Sequence, residues 1–125
     1  MTPAAGFVQP WAALIIGAAS SVVCIIILDI RSKSKVDESL DAISIHGTGG
    51  IIGAILTGVF ATSLGLIAGN PGQVWIQTIG VIVTLSYSFG VTFVLAWVIN
   101  KLLGFRVPPE VEYIGLDISL HGEKA

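Results

Sequence analysis

Apolar residues form three long blocks along the chain, and the charged residues lie between and after these blocks. No Asp, Glu, Lys or Arg occurs in residues 1–28 or in residues 42–100. The charges gather in residues 29–41, with the sequence DIRSKSKVDESLD, and after residue 100. A helix of about 20 apolar residues crosses the hydrocarbon core of a bilayer. The pattern therefore predicts three membrane-spanning helices, over about residues 11–30, 39–64 and 77–103.

The composition favours an integral membrane protein over a soluble domain. Apolar residues make up 54% of the chain and charged residues 11%, with a mean hydropathy of +0.90. A soluble domain carries about a quarter charged residues. Lipid satisfies no backbone groups at an open strand edge, so three isolated spans must be helices. We therefore predict an all-α membrane protein with a transmembrane region (residues 1–103) and a tail (residues 104–125).

The basic residues predict the orientation of the spans. The link between the first two predicted helices carries Arg31, Lys33 and Lys35, whereas residues 65–73, the second link, carry no charge. Further basic residues follow the third helix. Because basic loops stay in the cytoplasm, we expect the first link and the C-terminal tail to be cytoplasmic. Basic residues follow the first apolar block rather than precede it, which argues against a secretory signal peptide.

Small residues recur four positions apart in every span, so they share helix faces. Such stripes let helix backbones approach closely in membranes and predict a tight bundle. The stripes are Ala13, Gly17 and Ser21; Gly49, Gly53 and Thr57; His46, Gly50, Ala54 and Gly58; and Thr84, Ser88, Thr92 and Ala96.

His46 is the one ionisable side chain expected at depth in a span, and such residues are costly in lipid. One interpretation is a packing histidine that hydrogen-bonds across a helix interface. A metal site has little support, because the only other histidine, His121, lies in the tail. No Ser/His/Asp constellation for a nucleophile can be assembled around it. The remaining interpretation is a transport path, since a neutral imidazole offers one donor and one acceptor to a passing solute.

Two classes of partner and cofactor are not supported by the residues. The net charge is −2 and no basic patch with interleaved aromatic residues occurs, so nucleic acid is not an expected partner. Cys24 is the single cysteine, which excludes a disulfide framework within the chain and gives no metal-ligand spacing. We interpret Cys24 as a packing residue and expect no cofactor.

Three segments together resemble the ammonium transporter family (Amt/Mep/Rh). The sequence DESLDAISIHGTGGIIGAILTGVFAT (37–62) is similar to the helix of that family that carries its second pore histidine. TPAAGFV (2–8), followed by ALIIG, resembles the loop and helix before it. GFRVPPEVEYIGLDISLHGE (104–123) resembles the cytoplasmic tail of the family. The resemblance covers nearly the whole chain in the order of the family.

The resemblance implies a role for several residues in and near the second span. His46 matches one member of a pore-lining histidine pair, and Ala42 an apolar wall residue. Gly50 lies on the small-residue face above His46, which either lets another helix press close or leaves a narrow groove beside the imidazole. Asp41 matches an acidic position before the pore histidine, although an acidic residue there also favours a helix N-terminus. The implied substrate is ammonium or ammonia, moved without bond-making chemistry, so the chain is not expected to be an enzyme.

The resemblance also implies a regulatory tail. The family's tail packs beneath the subunits of a trimer, helps to regulate them, and lies where a PII-type signalling protein could bind. The alternative is a solvated tail without regulatory contacts. The matching residues are Gly104, Arg106, Pro108, Glu110, Gly115, Leu116 and Asp117.

The chain is short for this family, which implies the last three helices of an eleven-helix bundle in the plasma membrane. We expect a truncated gene, a miscalled start or a genuine fragment. Two alternatives to transport stay open. One is a non-transporting fragment that docks on full-length subunits. The other is a small membrane enzyme or proton carrier that uses His46 alone.

Overall fold

A computed structural model describes residues 2–34, 40–104 and 106–122. These residues form helices and connecting turns, and no strand occurs among them. Three helical segments are long and apolar enough to cross a membrane: Pro10–Ser32, Ile43–Phe60 and Gly72–Leu103. The predicted all-α class with three spans is thereby confirmed. The chain divides into two compact units, one up to Leu85 and one from Ser86 onward, which are described separately.

Helix α1 (Pro10–Ser32) covers the first predicted span. Pro10 occupies the first helical position, where its fixed φ suits a helix and its missing N–H costs nothing. The helix ends where the Lys33 N–H donates to the Ile30 carbonyl at 3.3 Å. Lys33 also pairs with Asp29 at 2.5 Å. The sequence therefore placed the ends of this span to within two residues.

The second span is a π-helical turn, Ile43–Gly47, continued by helix α2 (Thr48–Phe60). The sequence predicts a helix from Ser39 to about residue 64, and its start at Ser39 lies outside the described residues. The helix ends four residues earlier than predicted because the chain turns back at Ala61 to meet the N-terminal segment. There the Thr62 N–H donates to the Phe7 carbonyl at 2.9 Å.

A compact turn joins the second span to the third. The N–H groups of Leu66 and Ile67 donate back to carbonyls of the last turn of α2, at 2.9 and 3.1 Å. Gly65 lies inside this turn, and a Cβ on it would come within 2.6 Å of the Ala61 carbonyl oxygen. Glycine is therefore required at this position on steric grounds.

Helix α3 (Gly72–Leu103) begins five residues before the predicted start at Gln77. The added turn carries Gln73, whose N–H donates to the Asn70 carbonyl at 3.3 Å. The prediction counted only the apolar block, whereas a helix can continue past it with polar side chains. No residue of α3 is buried, so its predicted stripe from Thr84 to Ala96 is not covered by the described residues.

Helix α1 packs on the second span through a buried face one residue earlier than the predicted one. The buried positions of α1 are Ala12, Ile16 and Ser20, whereas the predicted stripe was Ala13, Gly17 and Ser21. The spacing of the small residues predicted the region of α1 that makes the contact. It did not distinguish between adjacent faces, because the helix is apolar on all sides.

Two contacts in the last turn of α2 fix its position in the first unit. At its C-terminal end, the rings of Trp11 and Phe60 meet edge to face, with centroids 5.8 Å apart and planes at 82°. Gly58 lies so close to the start of α3 that an added Cβ would be 3.0 Å from the Val74 Cα. The predicted close approach of helices along the stripe of Gly58 is present at this point.

The second unit contains the rest of α3, helix α4 (Pro109–Ile114) and a π-helical turn, Asp117–His121. Within α3, Phe89 stacks on Phe93, and the Lys101 ammonium lies 5.2 Å from the centre of the Trp97 ring. Gly104 follows α3 with φ +77°, a conformation that L side chains rarely adopt.

Candidate functional site

His46 lies in the π-helical turn that opens the second span. The Thr48 N–H donates to the Ile43 carbonyl, five residues back, instead of four residues back as in an α-helix. Single π-helical turns within α-helices are rare and occur frequently at functional sites. The sequence predicted His46 as a candidate but gave no sign of the turn that carries it.

A groove of about 530 Å³ lies beside His46, between α1 and the second span. Gly50 of the second span leaves part of this space open, since a Cβ there would meet no atom within 4 Å. The residues that line it include Thr2, Gly17, Ser20, Cys24, His46 and Gly50. His46 itself is exposed, so its imidazole is accessible in the chain as described.

Gly50 also lines a second groove, of about 410 Å³, which lies between α2 and the first half of α3. Ala54, Gln77 and Thr84 contribute to the same surface. Two of the three predicted pathway residues, His46 and Gly50, thus line the first groove together. Ala42 is exposed just before the π-helical turn and is not among the residues that line these two grooves.

The polar side chains in the groove beside His46 are small and uncharged, apart from the imidazole itself. The Ser20 hydroxyl is buried and has no hydrogen-bond partner in the described part of the chain. Neighbouring Ser21 donates its hydroxyl to the Gly17 carbonyl at 2.8 Å. The Cys24 thiol donates to the Ile45 carbonyl at 3.6 Å, which supports its interpretation as a packing residue. A surface of glycines and small polar side chains with one imidazole suits a small neutral solute that forms hydrogen bonds.

No cluster of three His, Cys, Asp or Glu side chains that could hold a metal ion occurs among the described residues. What the arrangement offers chemically is a hydrogen-bonding imidazole next to an open, weakly polar groove.

Asp41 forms an ion pair with Arg31 across the link between the first two spans. Asp41 also has φ +51°, the one positive φ of a non-glycine residue among the described residues. The sequence drew attention to Asp41 but not to Arg31, which appeared only as an orienting charge. Ten residues separate the two, so the pair has no local pattern that could have revealed it.

The predicted regulatory residues lie on the folded elements of the second unit. Pro108 precedes α4, Glu110 lies in its first turn, and Gly115 ends it with φ +99°. Asp117 opens the π-helical turn that follows. Arg106 lines a groove of about 370 Å³ beside Trp97. These residues are spread over several elements of the second unit.

Comparison with known proteins gives consistent matches along the whole chain. A family model described as Ammonium Transporter Family matches residues 1–125. Ammonium transporter Amt1 of Archaeoglobus fulgidus is 44% identical, and the ammonium transporter of Aquifex aeolicus 47% identical, each over 100% of this chain. The ammonium transporter of Bacillus subtilis is 40% identical over the same extent.

The chain spans about a third of the length of these relatives. The matched part is 33% of the Archaeoglobus and Bacillus proteins and 31% of the Aquifex protein. The matches therefore confirm the resemblance noted in residues 37–62, and they fit the expectation that the chain corresponds to a fragment.

Proposed function

Because the chain belongs to the ammonium transporter family, we propose that its helices form part of a protein that carries ammonium or ammonia across the plasma membrane. The observation that carries this proposal is the family match, which extends over all 125 residues. A transporter family also favours transport over a membrane enzyme. The three helices suited to crossing a membrane agree with this role.

His46 is the residue of this chain that takes part in conduction. A charged solute in hydrocarbon is costly, so the ammonium ion transfers its proton to water before it enters the apolar part of the path and crosses that part as ammonia. The imidazole accepts or donates one hydrogen bond to the solute as it passes. The groove beside His46 and Gly50 is open on that side. In the longer protein His46 acts with a second histidine, and Ala42 forms part of the wall.

A chimera tests this role, because this chain matches one third of the Bacillus subtilis relative. Residues 1–125 replace that third, and ammonium uptake is measured in cells that lack their own ammonium transporters. We expect the chimera to support uptake. We expect His46→Ala to change its rate or its selectivity between ammonium and potassium.

His121→Ala is the matched control, because His121 is the other histidine of the chain and lies outside the three spans. It should leave uptake unchanged. A chimera that reaches the membrane in normal amounts without any uptake would contradict the transport proposal. Unchanged uptake and selectivity in His46→Ala would remove His46 from the path.

The assembly and orientation of the longer protein belong to the same proposal. Its tail is cytoplasmic, which the basic residues of the first link and Lys101 support through the positive-inside rule. It forms a homotrimer whose tails lie beneath the subunits, within reach of a PII-type signalling protein. The folded tail, with helix α4 and its glycine-bounded turns, offers a defined surface for such contacts.

A second candidate function is that of a non-transporting membrane protein that associates with full-length subunits. It is favoured by α3, which has no buried residue and so leaves a face for them. An antibody against residues 110–125 distinguishes the two candidates in native membranes. A band near 13.0 kDa supports the non-transporting protein. A band about three times larger, as the relatives' lengths imply, supports the transporter.

A further inference from the structure

We propose that Arg31 and Asp41 are positioning residues that set the π-helical turn and thereby the placement of the His46 imidazole. The inference rests on the proposed function, in which His46 contacts the solute. It concerns a property of this chain alone, namely how the first span holds the second in register.

The first step is the backbone of Asp41, where the chain leaves the link and starts the second span. Its φ of +51° lies in the left-handed region, which most L residues avoid and which Asp and Asn tolerate best. Such a conformation persists when surrounding contacts hold it. The contact seen here is the ion pair of the Asp41 carboxylate with Arg31, the last basic residue of α1.

The second step connects this ion pair to the turn. The Asp41 carbonyl accepts the Ile45 N–H at 2.8 Å. Further along, the Thr48 N–H donates to the Ile43 carbonyl, which closes the π-helical turn. A shift of Asp41 therefore moves the acceptor of the hydrogen bond that leads into this turn. Arg31 fixes that acceptor relative to α1.

The third step is a second tie from α1 to the same residue of the turn. The Cys24 thiol donates to the Ile45 carbonyl at 3.6 Å. Beside it, a Cβ at Gly49 would lie 3.5 Å from the Cys24 sulfur, so the Cys24 side chain packs directly against the second span. Ile45 is thus held at its N–H through Asp41 and at its carbonyl by Cys24. His46 is the next residue along the chain.

The burial of the pair supports a specific role. The side chains of Arg31 and Asp41 are 25% and 32% exposed. The neighbouring pair of Lys33 and Asp29 is 72% and 63% exposed and links positions four apart at the end of α1. That neighbouring pair does not reach the second span, which makes it a matched control for the loss of one charge.

The test is a magnetic resonance measurement on the full 125-residue chain in detergent micelles, with uniform 15N labelling so that both the histidine imidazoles and the Ile45 amide are observed. The chain contains two histidines, so His121→Gln assigns both sets of imidazole signals. The variants are Arg31→Gln and Asp41→Asn, with Arg31→Lys to retain the charge and Asp29→Asn as the control. Asn keeps the tolerance for positive φ while it removes the charge.

We expect Arg31→Gln and Asp41→Asn to shift or split the His46 signals and to leave those of His121 in place. The amide of Ile45 should exchange roughly two- to fivefold faster, the scale expected for a partly exposed ion pair. The double variant should match either single variant, because the two residues act through one contact. Arg31→Lys should restore the His46 signals.

Wild-type His46 signals in both Arg31→Gln and Asp41→Asn would overturn the proposal, and so would an equal shift in Asp29→Asn. If circular dichroism shows that Arg31→Gln or Asp41→Asn has lost helix content, the His46 signals of the other variant and of Arg31→Lys decide whether the proposal holds. A chimera without uptake would reject the transport role of His46, while the resonance result would still decide how that residue is positioned.

Discussion

At the scale of single residues, steric demand and unpaired polarity give the sharpest consequences. Gly65 lies in the turn after α2, where an added Cβ would meet the Ala61 carbonyl oxygen at 2.6 Å and its nitrogen at 2.7 Å. Both are backbone atoms that a side-chain rotation cannot move away. The turn therefore depends on glycine for space, and its φ is not in the positive region.

We predict that Gly65→Ala lowers the stability of the chain by about 1–3 kcal/mol, the usual cost of overpacking. Thermal unfolding in detergent, followed by circular dichroism, measures the change in Tm. Gly80→Ala is the control, because a Cβ at Gly80 meets no atom within 4 Å. Equal Tm values for the two variants would show that the turn can relax around the methyl group.

Ser20 gives the opposite expectation. Its residue is 7% exposed and its hydroxyl has no hydrogen-bond partner among the described residues, and an unsatisfied buried polar group costs free energy. Ser20→Ala should raise the free energy of unfolding by about 1 kcal/mol. Ser21→Ala, next in sequence, should change it little, because Ser21 is exposed and bonds its own helix. A Tm that falls in Ser20→Ala would show that the hydroxyl has a stabilising partner.

At the scale of helices, the hydrophobic pattern was sufficient to predict three spans, but it did not predict the π-helical turn or the buried face of α1. The apolar blocks predicted Pro10–Ser32 closely because a proline and a charged cluster bound it. The same reasoning could not find the π-helical turn at Ile43–Gly47, since one added residue per turn changes hydrogen bonding and leaves composition unaltered. It also placed the buried face of α1 one residue too late, because a helix surrounded by apolar residues has no polar side to mark the contact.

The contact between α1 and α2 at the Trp11–Phe60 pair is open to a double-mutant cycle. Edge-to-face rings contribute about 0.5–1.5 kcal/mol beyond the area they bury. We expect Trp11→Leu and Phe60→Leu to be non-additive by that amount in the free energy of unfolding in detergent. Phe89 and Phe93 stack within α3. Phe89→Leu and Phe93→Leu are therefore the control, and they should leave the contact between α1 and α2 unaffected. Additive effects of Trp11→Leu and Phe60→Leu would show that the rings do not couple.

At the scale of the whole molecule, physics and resemblance contributed different information. Composition and charge distribution predicted a membrane protein and its orientation without any knowledge of relatives. The candidate pore histidine followed from the cost of an ionisable group in lipid. The family could be recognised only from the motif of residues 37–62, because no physical property of His46 identifies ammonium as the solute. Arg31 could be found only in the structure, since its partner lies across a link.

The orientation of the chain gives the last prediction. Basic residues near the first link and after the third span predict that both lie in the cytoplasm, and the turn that contains Asn70 then lies outside. In a Cys24→Ser background, which removes the only cysteine, Asn70→Cys and Ser119→Cys each introduce one exposed thiol. An impermeant maleimide should label Asn70→Cys in intact cells and Ser119→Cys only after lysis. Labelling of Ser119→Cys in intact cells would place the tail outside and reverse the direction in which a solute meets His46.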